Sequence, residues 1–285
     1  MRTVPIYITI MYCCIIIIAY TGCSASNVQD RELSVVERRE DFCWPEGKCA
    51  AISLTFDDAR ISQVDNGLPI LDEYGAKATF YVSIPRLEER LDAWKKAIAN
   101  GHEIGNHSLT HPCSANFPFA SKRALEDYTL YMMRYEMKEA SNIIEQLIGV
   151  RPVSFAYPCG QKFVGRGQNV KSYVPLVAEK FIAGRGWMDE WPNDPTFCDM
   201  AQLMGVELDG KNFEQLKELI DRTRANGGWL IFCGHEIGNQ GRQTTRSSTL
   251  RAICKYAQDP TNGLWLDTVQ VVTRYIRKQR TSTGS

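Results

Sequence analysis

Short apolar or β-branched runs alternate with longer amphipathic stretches along this sequence, and that alternation limits the folds that the chain can adopt. Seven runs have the composition of buried strands: AAISLTF (50–56), KATFYV (77–82), HEIGNH (102–107), VSFAYP (153–158), EKFIAG (179–184), AQLMGVEL (201–208) and WLIFCG (229–234). Helical patterns such as RLDAWKKAIAN and NFEQLKELIDRTRANG lie between them. The sequence therefore predicts a parallel α/β architecture.

The number of predicted strands separates two kinds of parallel α/β fold. About seven strands without the Gly-x-Gly-x-x-Gly pattern of dinucleotide-binding sheets favour a barrel, which a final helix over 265–279 would complete. In such barrels catalytic side chains follow the C-terminal ends of the strands, whereas the N-terminal ends contribute to stability. The residues directly after each run are therefore the candidates for chemistry.

The composition excludes several classes of protein. The chain has 285 residues, of which 44% are hydrophobic and 23% are charged, so it is neither disordered nor fibrous. Its 33 basic residues balance 33 acidic ones, and no dense run of Lys or Arg supplies the charge that a nucleic-acid binder needs. A neutral or weakly charged substrate fits this composition better.

The N-terminus predicts export. An apolar run, VPIYITIMYCCIIIIAY, follows Arg2 and is shorter than the ~20 residues of a membrane span, which is typical of a signal peptide over residues 1–22. The following TGC resembles the lipidation site of bacterial lipoproteins and predicts a membrane anchor at Cys23. The alternative is an ordinary signal peptide cut near CSAS, which would give a periplasmic or secreted protein. Residues 23–45 are predicted to form a tether and residues 46–280 one folded domain.

The cysteine content agrees with export, because ten cysteines suit an oxidising compartment. Three of them belong to the leader or its junction, and those from Cys43 to Cys254 form an odd set, so at least one thiol is unpaired. Cys43 and Cys49 flank the WPEGK turn and are predicted to form a local disulfide. Since no Cys-x-x-Cys pair occurs, a zinc site built from thiolates is not expected.

The first predicted strand ends in TFDDA, which places Asp57 and Asp58 at the catalytic end of the barrel. Adjacent residues on a strand point in opposite directions, so the two carboxylates are predicted to have different surroundings and different roles. The alternative is structural: one Asp begins a helix, and its neighbour is solvated.

Two histidines follow the third predicted strand in HSLTHP, where His107 and His111 stand four residues apart before Pro112. This spacing puts both imidazoles on one face of a single turn, where they can hold one metal ion. With one Asp they would form a two-histidine, one-carboxylate site with positions open for water and substrate. Ser108 stands where a zinc protease has Glu, and two surface histidines without a metal are the alternative.

Two further strand ends carry candidate groups. FAYPCG predicts a rigid turn whose backbone N–H groups can stabilise an oxyanion, although Tyr–Pro turns also occur for structural reasons. His235 follows the last strand at a position suited to a general acid. The candidates for a carboxylate that polarises His235 are Asp189, Asp194 and Asp199.

The phrase GHEIGN occurs twice, as Gly101–Asn106 and Gly234–Asn239, but the flanking residues do not match, so a duplicated domain is excluded. In the first copy a helix has just ended, and His102 begins a strand at the end that contributes to stability. In the second copy the strand has already finished, and His235 lies at the catalytic end. One phrase is thus predicted to occupy opposite ends of two strands.

In this order, TFDD, HSLTH, AYPCG and an apolar strand that ends in His resemble the polysaccharide deacetylase family, carbohydrate esterase family four, over roughly residues 48–278. The resemblance implies a distorted (β/α)7 barrel that hydrolyses acetyl groups from a carbohydrate with a metal-activated water. It also implies the roles of five residues. Asp57 is the general base, His235 is the acid, and the metal ligands are Asp58, His107 and His111.

The chain departs from the family in the turn after the fourth strand, where the family has Arg-x-Pro-Tyr-Gly. Ala156 stands at the Arg position and Cys159 at the Tyr position, so the N–H is kept and the Arg is lost. Arg185, at the catalytic end of the KFIAGR run, is predicted to replace it. Arg151 precedes its strand and belongs to the opposite end of the barrel.

Three residues are predicted to contact substrate: Tyr157 and Cys159 in the turn, and Trp187 in the GRGWMDEWPND loop. Trp187 and Trp191 fit either stacking on sugar rings or packing within the loop. The resemblance implies a divalent cofactor, with Zn²⁺ in first place and Co²⁺ or Ni²⁺ as alternatives, and an acetylated carbohydrate as the partner.

The predicted function is that of an exported, metal-dependent carbohydrate deacetylase. Two alternatives stay open. One is a related amidase or esterase that acts on another C–N or C–O bond, and the other is a catalytically inactive carbohydrate-binding envelope protein with the same fold. The polymer and the choice between N-acetyl and O-acetyl groups are not set by the sequence.

Overall fold

A curved sheet of parallel strands lies at the centre of the computed structural model, which describes residues 42–282. The strands in this range are β1 (Ala50–Asp57), β2 (Ala78–Val82), β3 (Glu103–Asn106), β4 (Ser154–Ala156), β5 (Phe163–Val164), β6 (Lys171–Ser172), β7 (Ala183–Arg185), β8 (Val206–Glu207), β9 (Trp229–Gly234), β10 (Glu236–Gly238), β11 (Thr244–Arg246) and β12 (Leu264–Leu266). The α-helices are α1 (Leu68–Glu73), α2 (Ile84–Glu89), α3 (Leu91–Ala99), α4 (Leu130–Ile148), α5 (Val174–Lys180), α6 (Phe213–Ala225), α7 (Ser247–Gln258) and α8 (Val269–Ser282).

The central strands follow the order β7-β4-β3-β2-β1-β9-β8, and all of their pairings are parallel. Strand β12 adds to the first half of β1. The two ends of this order are joined through the chain before β8: Leu203 N donates to Gly184 O at 2.8 Å, and Gly186 N donates to Leu203 O at 2.7 Å. These bonds close the sheet on itself, and the predicted distorted (β/α)7 barrel is confirmed.

Burial explains why the apolar runs form strands. Every residue of β1 and of β9 is buried, as expected for parallel strands that are covered on both faces. On β1, Ile52, Leu54 and Phe56 belong to the largest core, which includes side chains of α1, α3 and α7. Ala51 belongs to a separate core that α8 covers. The alternation of β1 between these two cores fixes the face of the sheet that each side chain meets, and the direction of the strand places Asp57 at its C-terminal end.

Three predicted boundaries are corrected by the structure. The run 179–184 contains the end of α5, so β7 begins only at Ala183. Of the run 201–208, only β8 is a strand, because the preceding residues form a 3₁₀ turn that Asp199 caps through Ala201 N. The final helix starts at Val269 rather than at 265, since Leu264–Leu266 pairs with β1. Short apolar runs do not distinguish strands from helix ends.

The N-terminal predictions fall mostly outside the described residues, which exclude the leader at 1–22 and the tether up to residue 41. The end of the predicted tether belongs to the folded domain, because Trp44 is buried and its Nε1 donates to Gly227 O at 2.9 Å. Within residues 42–282, none of the helices combines the length and the apolar composition that crossing a bilayer requires.

The two copies of GHEIGN occupy opposite ends of two strands, as the sequence predicts. His102 directly precedes β3, and its Nδ1 accepts a hydrogen bond from Ala78 N at 3.2 Å, whereas His235 directly follows β9. The fifth residue of the phrase is glycine in both copies. A Cβ on Gly105 would lie 2.4 Å from the buried ring of Tyr81, whereas a Cβ on Gly238 would meet nothing closer than 3.7 Å.

This difference provides a matched test of packing inside the barrel. We expect Gly105→Ala to lower the free energy of unfolding by about 1–3 kcal/mol, because the Tyr81 ring has no room to move away. Gly238→Ala is expected to change it by less than about 0.5 kcal/mol. Urea denaturation of both variants measures the two effects, and equal effects would contradict the different surroundings of the two glycines.

Candidate metal and catalytic site

The two aspartates at the end of β1 approach the same histidine. Asp57 is the last residue of the strand, and Asp58 leaves it in the left-handed region with a φ of 74°. The change of backbone direction brings both carboxylates to His107, whose Nε2 lies 3.9 Å from Asp57 Oδ2 and 3.8 Å from Asp58 Oδ1. The prediction that the two side chains point apart is therefore wrong. Each still has its own cation, Arg185 for Asp57 and Arg60 for Asp58.

Buried polar side chains hold the loop that carries His107 and His111. Asn106 Oδ1 accepts from Ser108 N at 2.7 Å. Glu136, a buried carboxylate of α4, accepts from Leu109 N at 2.9 Å and from Thr110 N at 2.8 Å. Sequence reasoning missed Glu136, although an acidic residue on the buried face of an amphipathic helix is a usable signal.

Three side chains converge with one donor atom each. The Nε2 atoms of His107 and His111 lie 3.8 and 3.7 Å from Asp58 Oδ1, and all three donor atoms lie within 4.8 Å of one another. His107 Nδ1 lies 3.0 Å from Ala156 O. Because a carbonyl only accepts, Nδ1 carries the proton and the Nε2 lone pair is left for the site. Two imidazole nitrogens and one carboxylate oxygen suit a divalent transition metal.

The charge states of these groups also suit a cation. Burial would raise the pKa of Asp58, but the charges of His107 and His111 lower it overall to about 2. Burial and the charge of His107 lower the pKa of His111 to about 4. At neutral pH Asp58 is therefore ionised and His111 is neutral, which are the forms that bind a metal. The residues fit the divalent metal that the family resemblance implies, while the choice of Zn²⁺ stays a prediction.

Arg185, the last residue of β7, reaches across the barrel interior to Asp57. Its side chain is fully buried, and its guanidinium donates to Asp57 Oδ1 and, at 2.8 Å, to Gly186 O. The guanidinium carbon lies 4.8 Å from the centre of the Tyr81 ring, a cation–π contact. Arg151, in contrast, forms an ion pair at the surface. These contacts agree with the choice of Arg185 over Arg151, and the role of Arg185 in catalysis stays a prediction.

The ring of His235 is held by Asp209. Asp209 Oδ2 lies 2.7 Å from His235 Nδ1, and Asp209 Oδ1 accepts from Thr245 Oγ1 at 2.8 Å and from His235 N at 3.2 Å. Since the carboxylate accepts from Nδ1, the other ring nitrogen is the one that can exchange a proton with a substrate.

The partner of His235 is thus Asp209 and not one of the three aspartates that the sequence suggested. The carboxylates of those three accept from backbone N–H groups instead: Asp189 from Gly205, Asp194 from Thr196 and Asp199 from Ala201. Asp209 directly follows the predicted run 201–208. The rule that candidates follow the ends of strands would therefore have found it.

The two loop tryptophans have different surroundings. Trp187 is half-buried, and its ring meets that of His235 edge-on with centroids 4.8 Å apart. It also packs closely on Gly160, where an added Cβ would lie 3.0 Å from its own Cβ. Trp191 is 50% exposed, and the guanidinium of Arg222 lies over its ring. Trp187 therefore forms a wall of the site, and Trp191 belongs to the surface.

Tyr157 does not have the role that the sequence predicts for it. Its side chain is fully buried in the core beside α5, and its hydroxyl donates to Ala201 O at 2.7 Å. Substrate binding is therefore not open to the Tyr157 side chain. Cys159 lies in the turn that follows, with a φ of 54°, and its N–H stays a predicted oxyanion donor.

A disulfide joins the histidine loop to this turn, between Cys113 and Cys159. The sequence predicted a Cys43–Cys49 bridge, which is wrong, because both of those thiols are free and exposed within the described range. Cysteines that are 46 residues apart are brought together only by the barrel, so a nearby turn could not reveal the pairing. Closing a loop of this length stabilises a fold by about 4 kcal/mol.

Strained backbone is concentrated around the same residues. Within residues 42–282, eight non-glycine residues have a positive φ, and five of them border the site: Asp58, Ala59, Ser108, His111 and Cys159. Each such conformation costs on the order of 1–3 kcal/mol and persists only where surrounding contacts hold it. Strain of this kind is typical of functional sites.

Comparisons with known proteins agree with the geometry. A family model described as polysaccharide deacetylase matches residues 45–173, which include both aspartates and the histidine loop. The peptidoglycan-N-acetylmuramic acid deacetylase PdaC of Bacillus subtilis is 28% identical over 219 residues, or 76% of this chain and 42% of that protein. The peptidoglycan-N-acetylglucosamine deacetylase of Bacillus cereus is 35% identical over 107 residues, or 38% of this chain and 35% of that protein. The chain spans less than half the length of these curated relatives.

A solved structure shares the fold at low sequence identity. The putative polysaccharide deacetylase from Mycobacterium smegmatis superposes with a TM-score of 0.60 at 17% identity, covering 84% of this chain and 94% of that one. This similarity shows the barrel, whereas the chemistry rests on the residues described above.

The buried contact of Arg185 yields a prediction about stability. Arg185→Met leaves the Asp57 carboxylate buried without its counter-charge, so we expect the free energy of unfolding to fall by about 3–5 kcal/mol. Arg151→Met, the matched surface control, should change it by less than about 0.5 kcal/mol. Chemical denaturation measures both, and a loss for Arg185→Met no larger than that of the control would rule out a buried ion pair.

The pairing of His235 with Asp209 yields a prediction about protonation. Burial lowers the pKa of His235, but its hydrogen bond with Asp209 and the charges of Asp57 and Asp58 raise it overall. His235 should therefore stay protonated to a higher pH than an ordinary histidine. Asp209→Asn removes the negative charge beside the imidazole, so the pKa of His235 should fall. NMR titration of the imidazole in the metal-free protein measures it, with Asp199→Asn as the control that leaves it unchanged. A pKa that does not move in Asp209→Asn would contradict the pairing.

Proposed function

We propose that the chain, which is similar to polysaccharide deacetylases over residues 45–173, is a metal-dependent hydrolase that removes acetyl groups from a carbohydrate. The observation that carries the proposal is the convergence of Asp58, His107 and His111 beside the buried Asp57–Arg185 pair. A protein that only bound carbohydrate would need neither a paired carboxylate nor a histidine held by Asp209 at the same end of the barrel.

Each polar group has a defined task in this proposal. A divalent cation held by Asp58, His107 and His111 would polarise the acetyl carbonyl and acidify a neighbouring water. Asp57 takes the proton of the attacking water, and Arg185 keeps that carboxylate in place through a buried contact. The N–H of Cys159 donates to the oxyanion that forms on the acetyl carbonyl oxygen when water adds to the carbon.

The second half of the reaction requires a proton on the leaving group. His235 donates it to the departing amine or alcohol oxygen, and the hydrogen bond to Asp209 sets the ring in the tautomer and orientation that this step needs. Trp187 packs edge-on against His235 and narrows the approach to it. Water is thereby kept from one side of the acid.

The surroundings of the turn support a polymeric substrate. A cleft of about 380 Å³ adjoins Gly160 and is lined by polar and apolar side chains that include Gln161, Lys162 and Phe163. Phe163 is 57% exposed, and Phe119, whose ring centre lies 6.0 Å from that of His111, is 54% exposed. Exposed aromatic rings in the cleft and beside His111 offer flat apolar faces on which sugar rings can stack. We therefore extend the proposal to an acetylated glycan of the cell envelope, reached by export and anchoring at Cys23.

Metal binding and acetate release test this function together. We expect the purified chain to release acetate from an N-acetylated or an O-acetylated glycan only when Zn²⁺ or Co²⁺ is bound. His111→Ala should lose most of the bound metal and most of the activity, because the ion needs all three ligands. His235→Ala should keep the metal and the fold, but lose about 10²–10⁴-fold in kcat, the usual effect of removing a general acid.

His102→Ala is the matched control, since His102 lies in the first GHEIGN at the opposite end of the barrel. It should affect stability at most and leave turnover per folded molecule nearly intact. Stoichiometric metal in His111→Ala by elemental analysis would overturn the ligand set. Glycan binding without acetate release from any acetylated glycan would favour an inactive carbohydrate-binding protein, and release of ammonia or another acid instead of acetate would favour a related amidase or esterase.

A further inference from the structure

A second group of metal-ligating atoms lies against the first and shares His111 with it. The Nδ1 of His111 is 3.6 Å from Cys113 Sγ, and the donor atoms of His111, Cys113 and Cys159 all lie within 4.8 Å of one another. The other ring nitrogen of His111 faces Asp58 at 3.7 Å. One imidazole therefore stands between an oxygen- and nitrogen-rich group and a sulfur-rich group.

The disulfide decides which of these groups can hold an ion. Thiolate sulfur is a strong ligand for soft divalent metals, whereas a sulfur engaged in a disulfide has no thiolate charge to offer. While Cys113 and Cys159 are joined, His111 has only the Asp58–His107 side available as a metal site. The accessibility of the bond is uneven, since Cys113 is fully buried and Cys159 is half-buried, so a reductant would meet the Cys159 side first.

Little movement separates the disulfide from a two-sulfur metal site. Bonded sulfurs lie about 2.05 Å apart. Two sulfurs that each lie about 2.3 Å from a tetrahedral ion are about 3.8 Å apart, and rotation of two side chains can supply the difference. The Cα atoms of Cys113 and Cys159 are 6.3 Å apart and need not separate much further. The Nδ1 of His111 then supplies a third ligand from the same loop.

We propose that reduction of the Cys113–Cys159 disulfide creates a second, sulfur-rich site for a soft divalent cation, built from Cys113, Cys159 and His111. A neutral imidazole has a free lone pair on only one of its two nitrogens, so this site competes with the Asp58–His107 side for His111. A trialkylphosphine supplies the two electrons that reduction of the disulfide requires. The S–S bond breaks, phosphorus is oxidised to the phosphine oxide with the oxygen of water, and the two hydrogens of that water end on the two sulfurs.

The consequence for activity rests on the proposed function. If the Asp58–His107–His111 group carries hydrolysis, withdrawal of His111 toward sulfur lowers metal-dependent turnover, and reoxidation restores it. The disulfide then acts as a redox-sensitive element that keeps the catalytic ion in place. In an oxidising compartment the protein is active, and exposure to reducing conditions in the presence of a thiophilic metal turns it off.

Cobalt spectroscopy tests the second site without any activity measurement. Co²⁺ bound to thiolate absorbs strongly in the near ultraviolet through sulfur-to-metal charge transfer, whereas Co²⁺ held by nitrogen and oxygen alone does not. The reference protein is the full chain with Cys13, Cys14, Cys23, Cys43 and Cys49 each replaced by Ser, which removes the leader thiols and the two exposed free thiols. We expect this band to be absent after Co²⁺ is added to the oxidised reference and to appear after treatment with the phosphine.

Variants of the disulfide in the same background identify the ligands. Cys113→Ser and Cys159→Ser should each weaken the binding that produces the band by at least about tenfold, because a site with one thiolate loses much of its affinity for a soft cation. If neither variant folds, alkylation of the reduced reference replaces them as the test, and it should abolish the band.

Several results would overturn the proposal. They are a reduced reference without the band, a band of equal strength in Cys113→Ser, and thiol counting by mass spectrometry that finds no disulfide before reduction. Acetate release is measured separately from the cobalt spectrum. Acetate release by the reference should fall about tenfold or more with phosphine and Zn²⁺, and the double variant Cys113→Ser/Cys159→Ser should not respond to phosphine. An oxidised reference that releases no acetate would refute the proposed function while leaving the cobalt result to decide the site.

Discussion

The contact between Arg185 and Asp57 is the interaction on which the geometry of the site depends. A buried ion pair is favourable only where its geometry is good and where other groups satisfy its remaining atoms. Here the Gly186 carbonyl accepts from the guanidinium and the Tyr81 ring packs against it, whereas Arg185 Nε has no hydrogen-bond partner among the described residues. In the strand order, β7 and β1 are four positions apart, or about 19 Å in an open sheet with strands about 4.8 Å apart. No arginine side chain spans that distance. Only a closed barrel brings the two charges together, so the Arg185–Asp57 contact depends on closure of the sheet.

Much of the fold and of the site was accessible from the sequence, because those parts depend on local features. Apolar runs mark the strands, and the residues directly after them, such as Asp57, His107 and His235, lie at the end of the barrel where their strands finish. Arg185 could be chosen over Arg151 by the same rule. The same rule applies to Asp209, which directly follows the predicted run 201–208.

The parts that the sequence did not predict depend on contacts between distant segments. The partner of Cys113 is set by the approach of two loops, and the burial of Tyr157 is set by α5 packing against β4, which no pattern within FAYPCG records. The left-handed turn at Asp58 reverses the alternation that strands normally impose. Glu136 is a further example. Its position on the buried face of α4 can be read from the sequence, but its hydrogen-bond partners, the amides of Leu109 and Thr110, are seen only in the structure.

The order of the site residues along the chain has a consequence for biosynthesis. The side chains proposed to bind the cation all lie before residue 112, whereas Arg185, Asp209 and His235 lie in segments that leave the ribosome much later. Parallel pairing between distant strands is slow, so β7, β8 and β9 join the sheet after β1, β2 and β3 can already meet. On the proposed roles, the ligands of the ion are complete in the chain before its proton donor is. A product that ends before β9 would keep the three ligands but lack His235 and the strand that pairs with β1, so it is expected to be inactive toward substrate.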